Sequence, residues 1–129
     1  MSIWWTWLGP GRWLRGLSLA HAAVGIAVYR RELREIAADR MVGAVPYRSA
    51  RAAALWFIGS AFPGWLVGHY VDLATEARDR RALRRVGLLG VAAGVGGALA
   101  MPRSPMWIQV LVCVGIVRRS RKIGRKADG

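Results

Sequence analysis

Apolar and polar positions fall into long blocks along this chain. Four apolar stretches cover about residues 13–29, 52–71, 86–101 and 106–117. Crossing ~30 Å of hydrocarbon as a helix takes ~20 residues. The second stretch meets that length alone. The first meets it if Arg12 and Arg15 extend to the headgroups. The third and fourth need flanking residues, tilt or local thinning of the bilayer. The pattern predicts an all-α fold, an integral membrane bundle of four short transmembrane helices forming a single membrane domain over residues 1–129.

The connections carry the charge. Within the segment Arg30 to Arg51, Leu33, Ile36, Ala37, Arg40 and Met41 recur at helical spacing, which predicts a short amphipathic helix on the membrane interface between spans one and two. Val45-Pro46-Tyr47 should break it. Asp72 to Arg85 is a second charged connection, and Met101-Pro102-Arg103-Ser104-Pro105 a tight hairpin. The basic tail, residues 118–129, is expected to be disordered.

Charge sharpens this picture. The formal net charge is +13 with 54% hydrophobic residues. A soluble domain that basic would suggest nucleic acid, but apolar spans separated by basic loops account for both figures. The tail then reads as an anchor facing anionic lipid, and no nucleic-acid partner is expected. With both termini in the cytoplasm, thirteen Lys and Arg lie inside and seven outside. The positive-inside rule therefore favours that orientation in a multi-pass protein of the bacterial cytoplasmic (inner) membrane. The six arginines of the first loop oppose it, partnered in part by Glu32, Glu35 and Asp39. Ala20-His21-Ala22 has the form of a signal-cleavage site, but Arg15 leaves too short an apolar run before it. Arg30-Arg31 follows its apolar run, unlike an export signal. Cys113 is the single cysteine, so no intrachain disulfide forms.

Small residues mark packing faces. Ser60, Gly64 and Gly68 recur on span two. Gly90 and Gly94 form a GxxxG on span three, with Gly87 and Gly97 nearby, and such faces let helices or copies of the chain approach closely. Pro63 should kink span two and free the Gly59 carbonyl. Trp4, Trp5, Trp7 and Trp13 read as an interfacial anchor, and Trp107 as a mark of the outer interface.

Candidate chemistry is sparse. His21 falls near the bilayer midplane and shares a stripe with Ser18, Gly25 and Tyr29. Gln109 and Cys113 are one turn apart on span four. His21, Tyr29, Trp56, Gln109 and Trp107 are therefore the candidate lining of a small pocket for an apolar ligand, a lipid or isoprenoid. His21 is its polar anchor or acid–base group. The plainer alternative is that His21 bonds a carbonyl or Gln109 and fixes helix register. His69, Asp72 and Glu76 share a face, but among so many arginines salt bridging is the simpler reading than a metal. No HExxH, CxxC, phosphate loop or nucleophile elbow occurs, and neither metal nor cofactor is expected.

The segments Gly16 to His21, Ala53-Ala54-Leu55-Trp56-Phe57-Ile58-Gly59 and Met101 to Trp107 resemble DUF6463, a family of small bacterial membrane proteins of unknown function. The resemblance covers about residues 12–118. It implies a four-helix membrane fold and no activity or ligand. The expected function is thus binding of an apolar ligand or membrane partner within the bundle. Two alternatives are a membrane-embedded isomerase or cyclase with His21 as proton carrier, aided by Tyr29, Tyr47 or Glu32, and an accessory subunit of a larger membrane complex.

Overall fold

The computed structural model describes residues 9–127, and these are helical throughout with short connections and no strand. The helices are α1 (Pro10–Val28), α2 (Arg30–Ala38), α3 (Ala50–Gly59), α4 (Ala61–Glu76), α5 (Arg80–Ala100) and α6 (Met106–Ala127). Trp4, Trp5 and Trp7 lie outside the described residues. The chain divides into two compact units, one of Gly16–Trp65 and the other of the described residues up to Arg15 with those from Leu66 onward.

In the first unit, Ser49 starts α3 by accepting the Ala52 N–H at 3.1 Å, while its hydroxyl donates to the Pro46 carbonyl at 2.6 Å. The expected amphipathic helix forms as α2, turning Ile36 inward. It stops at Ala38, short of the expected Met41, because Arg40 and Met41 adopt φ of 60° and 63°, a left-handed turn that ends the helix. Arg51 closes the loop that follows. Its Nε donates to Glu35 at 3.2 Å, and its Nη1 donates to Asp39 at 2.5 Å and to the Ala44 carbonyl at 2.9 Å. Arg31 also donates to Glu35, at 3.1 Å.

The hydrogen bonds from Arg31 and then Arg51 hold the Glu35 carboxyl below its ordinary value of 4.5. A depressed folded-state value stabilises the fold above the unfolded value, and that contribution disappears as pH falls through the lowered one. Glu35→Gln is therefore expected to remove part of the acid-induced loss of thermal stability below pH 4.5. Melting curves of both proteins over that range check this; identical acid slopes would contradict it.

The second apolar stretch is cut at Ser60 into α3 and α4. The break sits three residues before Pro63, whose ring crowds the carbonyl four residues back, that of Gly59, and offers it no N–H. In the second unit, Asp79 caps α5 by accepting the Ala82 N–H at 2.9 Å. α5 and α6 then form an antiparallel hairpin. A Cβ placed on Gly87 would lie 2.6 Å from Val117 Cγ2, and one on Gly94 2.8 Å from Val110 Cγ2. One on Gly90 would strike Cys113 Sγ, and one on Gly97 the Met106 side chain. The small residues 87, 90, 94 and 97 therefore form the seam, with Leu83, Ala98, Val112 and Ile116 buried along it.

The basic tail, expected to be disordered from Arg118, is helical to Ala127. Extending an existing helix needs no new nucleus, and Arg, Lys and Ala are strong helix formers. Ser120 is fully buried, which packs the extension into the hairpin, and its hydroxyl is satisfied within α6 by donating to the Val117 carbonyl at 2.7 Å.

Among the described residues one helix, α5, is long and apolar enough to cross a membrane. The others miss that measure for local reasons. α3 and α4 are shortened by the break, α1 opens with Arg12 and Arg15, and the second half of α6 is basic.

Candidate functional site at the helix break

The stripe Ser18, His21, Gly25 and Tyr29 meets α3 and the start of α4. A Cβ on Gly64 would lie 2.6 Å from Ser18 Oγ, so that glycine admits the serine. Gly25 lies under Phe57 and Ile58, where a Cβ would come within 2.9 Å of the ring and 2.7 Å of the Ile58 side chain. The His21 ring stacks on Phe57 with centroids 4.0 Å apart, and the Tyr29 ring is tilted against the same phenylalanine at 5.6 Å. Phe57 thus joins His21 and Tyr29.

The polar centre is the Phe57 carbonyl. His21 Nε2 lies 2.8 Å from it, and the Ser60 hydroxyl donates to it at 2.7 Å. A carbonyl only accepts, so Nε2 carries the hydrogen, an assignment fixed by the hydrogen-bond network. Ser60 Oγ, 3.1 Å from Nε2, accepts a share of the same hydrogen. The site therefore gathers two side-chain donors on one carbonyl beside the broken helix, where the backbone ladder is interrupted.

The remaining candidates are placed differently. Trp56 is 77% exposed and turns away from this knot. Trp107, in the other unit, donates from Nε1 to the Pro102 carbonyl at 3.2 Å and steadies the α5–α6 turn. Gln109 is half-buried on α6, while Cys113 is buried in the seam. Asp72 accepts from Arg15 Nη2 at 2.7 Å, so Arg15 is ion-paired instead of reaching freely for the headgroups. Among the described residues no three His, Cys, Asp or Glu side chains converge to hold a metal. Sequence reasoning missed Phe57 and the Arg15–Asp72 pair. Ser60 was legible as a small residue at four-residue spacing from Gly64, but its donor role was not.

The model of a family of unknown function, DUF6463, matches residues 5–123. The chain belongs to this family. The match extends past 12–118 at both ends, so DUF6463 takes in Trp5, Trp7 and much of the basic end of α6, which the sequence reading had left outside. No curated protein and no solved structure matches the chain. Membership supplies no activity, so function must be argued from the chain's own residues.

Proposed function

We propose that this DUF6463 member is a small integral membrane protein that crosses the bilayer through α1, the broken pair α3–α4, α5 and α6, and binds an apolar ligand or a membrane partner. The carrying observation is the exposure of large apolar side chains on every one of these helices. Leu19, Ile26 and Val28 on α1, Leu55 and Trp56 on α3, Phe62 and Leu73 on α4, Leu88, Leu89 and Leu99 on α5, and Leu111 on α6 are all at least half exposed. A soluble monomer rarely exposes so much apolar surface; lipid would cover it. All of these except Leu73 sit in windows 16–29, 52–71, 86–102 and 104–117, which contain no Asp, Glu, Lys or Arg. At 1.5 Å per residue α5 and α6 are each about 30 Å long or slightly more, and α1 slightly less, close to the ~30 Å core.

The count of thirteen Lys and Arg against seven supports cytoplasmic termini. On that orientation the basic first loop faces outward, and Arg51, Arg31, Glu35 and Asp39 there are bound to one another.

His21 is the polar element of the candidate ligand site, with Tyr29 and Phe57 beside it. Its Nε2–H is committed to the Phe57 carbonyl, which favours anchoring α1 to α3 and fixing helix register over proton transfer. An isomerase or cyclase would have to work through the other ring nitrogen. His21→Gln keeps a donor near Phe57 and is expected to fold and retain any ligand. His21→Ala is expected to lose about 1 kcal/mol of stability, the usual net value of one hydrogen bond. Turnover of a lipid substrate that both variants abolish while remaining folded would overturn the anchoring role in favour of the enzyme.

Native mass spectrometry of the detergent-extracted chain tests the binding reading. A folded chain carrying a retained apolar mass is the expected result. A chain that is stable only with a second, different protein and carries no such mass would instead make it an accessory subunit.

A further inference from the structure

The hairpin register converges on a cationic end. Gly97 faces Met106, Gly94 faces Val110, Gly90 faces Cys113 and Gly87 faces Val117. One step further brings Leu83 level with Ser120, and both are fully buried. Around this last step stand Arg80, Arg81, Arg84 and Arg85 on α5 and Arg118, Arg119, Arg121 and Lys122 on α6. All are exposed except the half-buried Arg119. None pairs with a carboxylate among the described residues, unlike Arg15, Arg31 and Arg51. The adjacent Asp79 uses Oδ1 to cap α5.

Cations gathered within about a Debye length, ~8 Å at physiological salt, repel one another and call for an external anion. Directly beyond them begin the uncharged windows 86–102 and 104–117, with Leu88, Leu89 and Leu111 exposed. The surface therefore has two parts, a cationic collar and an apolar wall. A nucleic acid would match only the first. An amphiphile with an anionic head and acyl chains matches both.

We propose that this end of the α5–α6 hairpin binds anionic phospholipid, its headgroup phosphates held by the arginines of both helices and its chains lying on the apolar wall. The proposal rests on the membrane reading and goes beyond it. The charges are carried on two packed helices, so the site is a fixed surface that holds lipid in detergent as well as in a bilayer.

The test uses the full chain in a nonionic detergent, with dioleoylphosphatidylglycerol or dioleoylphosphatidylcholine added in equal amounts and lipid retention read by native mass spectrometry. The wild-type chain should retain the anionic lipid in preference by roughly tenfold or more, and the preference should weaken as salt is raised. The variant Arg81→Gln/Arg84→Gln/Arg118→Gln/Arg121→Gln should bring the two lipids near parity. The matched variant Arg30→Gln/Arg34→Gln/Arg40→Gln/Arg48→Gln loses as much charge elsewhere and should keep the preference. Should the first variant fail to fold, Arg84→Gln/Arg118→Gln is read in its place, with a partial loss expected. Equal retention of both lipids by the wild-type chain, an unchanged preference in the first variant, equal loss in the matched one, or displacement of the lipid by a short DNA duplex would each overturn the proposal. Release of the chain from membranes by alkaline wash would instead refute the membrane reading, whatever the lipid preference.

Discussion

Gly87→Val is expected to cost about 3 kcal/mol and to open the α5–α6 hairpin. The Cβ at this position would meet Val117 Cγ2 at 2.6 Å, and the Cys113 carbonyl oxygen and Val117 nitrogen at 3.1 Å. The side chain can rotate, but the two backbone atoms move only if the helices separate. Valine adds two further methyl groups to the same space. Gly96→Ala is the control, since a Cβ there meets nothing within 4 Å. That change should be neutral or gain up to about 1 kcal/mol from helix propensity. Thermal unfolding in detergent checks the pair; equal midpoints for both variants would show that the seam is not where the hairpin is held.

Asp72→Asn is expected to cost about 2 kcal/mol. Asp72 and Arg15 are 2.7 Å apart, with side chains only 21% and 30% exposed. Removing one member of a buried pair strands the other charge, at 3–5 kcal/mol for full burial, and the remaining exposure reduces this to roughly 2 kcal/mol. Arg15 cannot relax easily, because a Cβ on Gly68 would already lie 2.7 Å from its Cγ and from the Gly11 carbonyl oxygen. Replacing both members, Arg15→Met with Asp72→Asn, removes the stranded guanidinium and should recover much of the loss. A double-mutant cycle measures this directly. A double variant no more stable than Asp72→Asn would show that the pair is incidental.

What was legible in the sequence follows from how local each signal is. Helix positions were readable because apolar blocks and their charged ends repeat on the scale of a helix. The packing stripes were readable because a four-residue spacing of Gly and Ser fixes one face whatever the partner, and the break at Ser60 followed from Pro63 alone. The ends were harder. α2 stops at Ala38 because Arg40 turns left-handed, which its residue type does not announce. α6 runs through its basic end because Ser120 is buried in the hairpin, a tertiary contact.

The site divided in the same way. His21 stood out as a lone ionisable group in an apolar run, and helical spacing alone groups Ser18, Gly25 and Tyr29 with it on one face. Phe57 did not stand out, because its contribution is a backbone carbonyl and a ring face, and neither marks a residue in a sequence. Arg15 and Asp72 are far apart in the chain, and pairing them requires knowing that Gly11 and Gly68 bring α1 and α4 together.

The central claim is that α1, α3–α4, α5 and α6 cross a bilayer with both termini in the cytoplasm. Reporter fusions after Arg31, Arg78, Arg103 and Gly129 in a bacterial host test it most directly. The account predicts a cytoplasmic signal from Arg78 and Gly129 and a periplasmic one from Arg31 and Arg103. The reverse pattern would overturn the orientation, and fusions recovered outside the membrane fraction would contradict the claim itself.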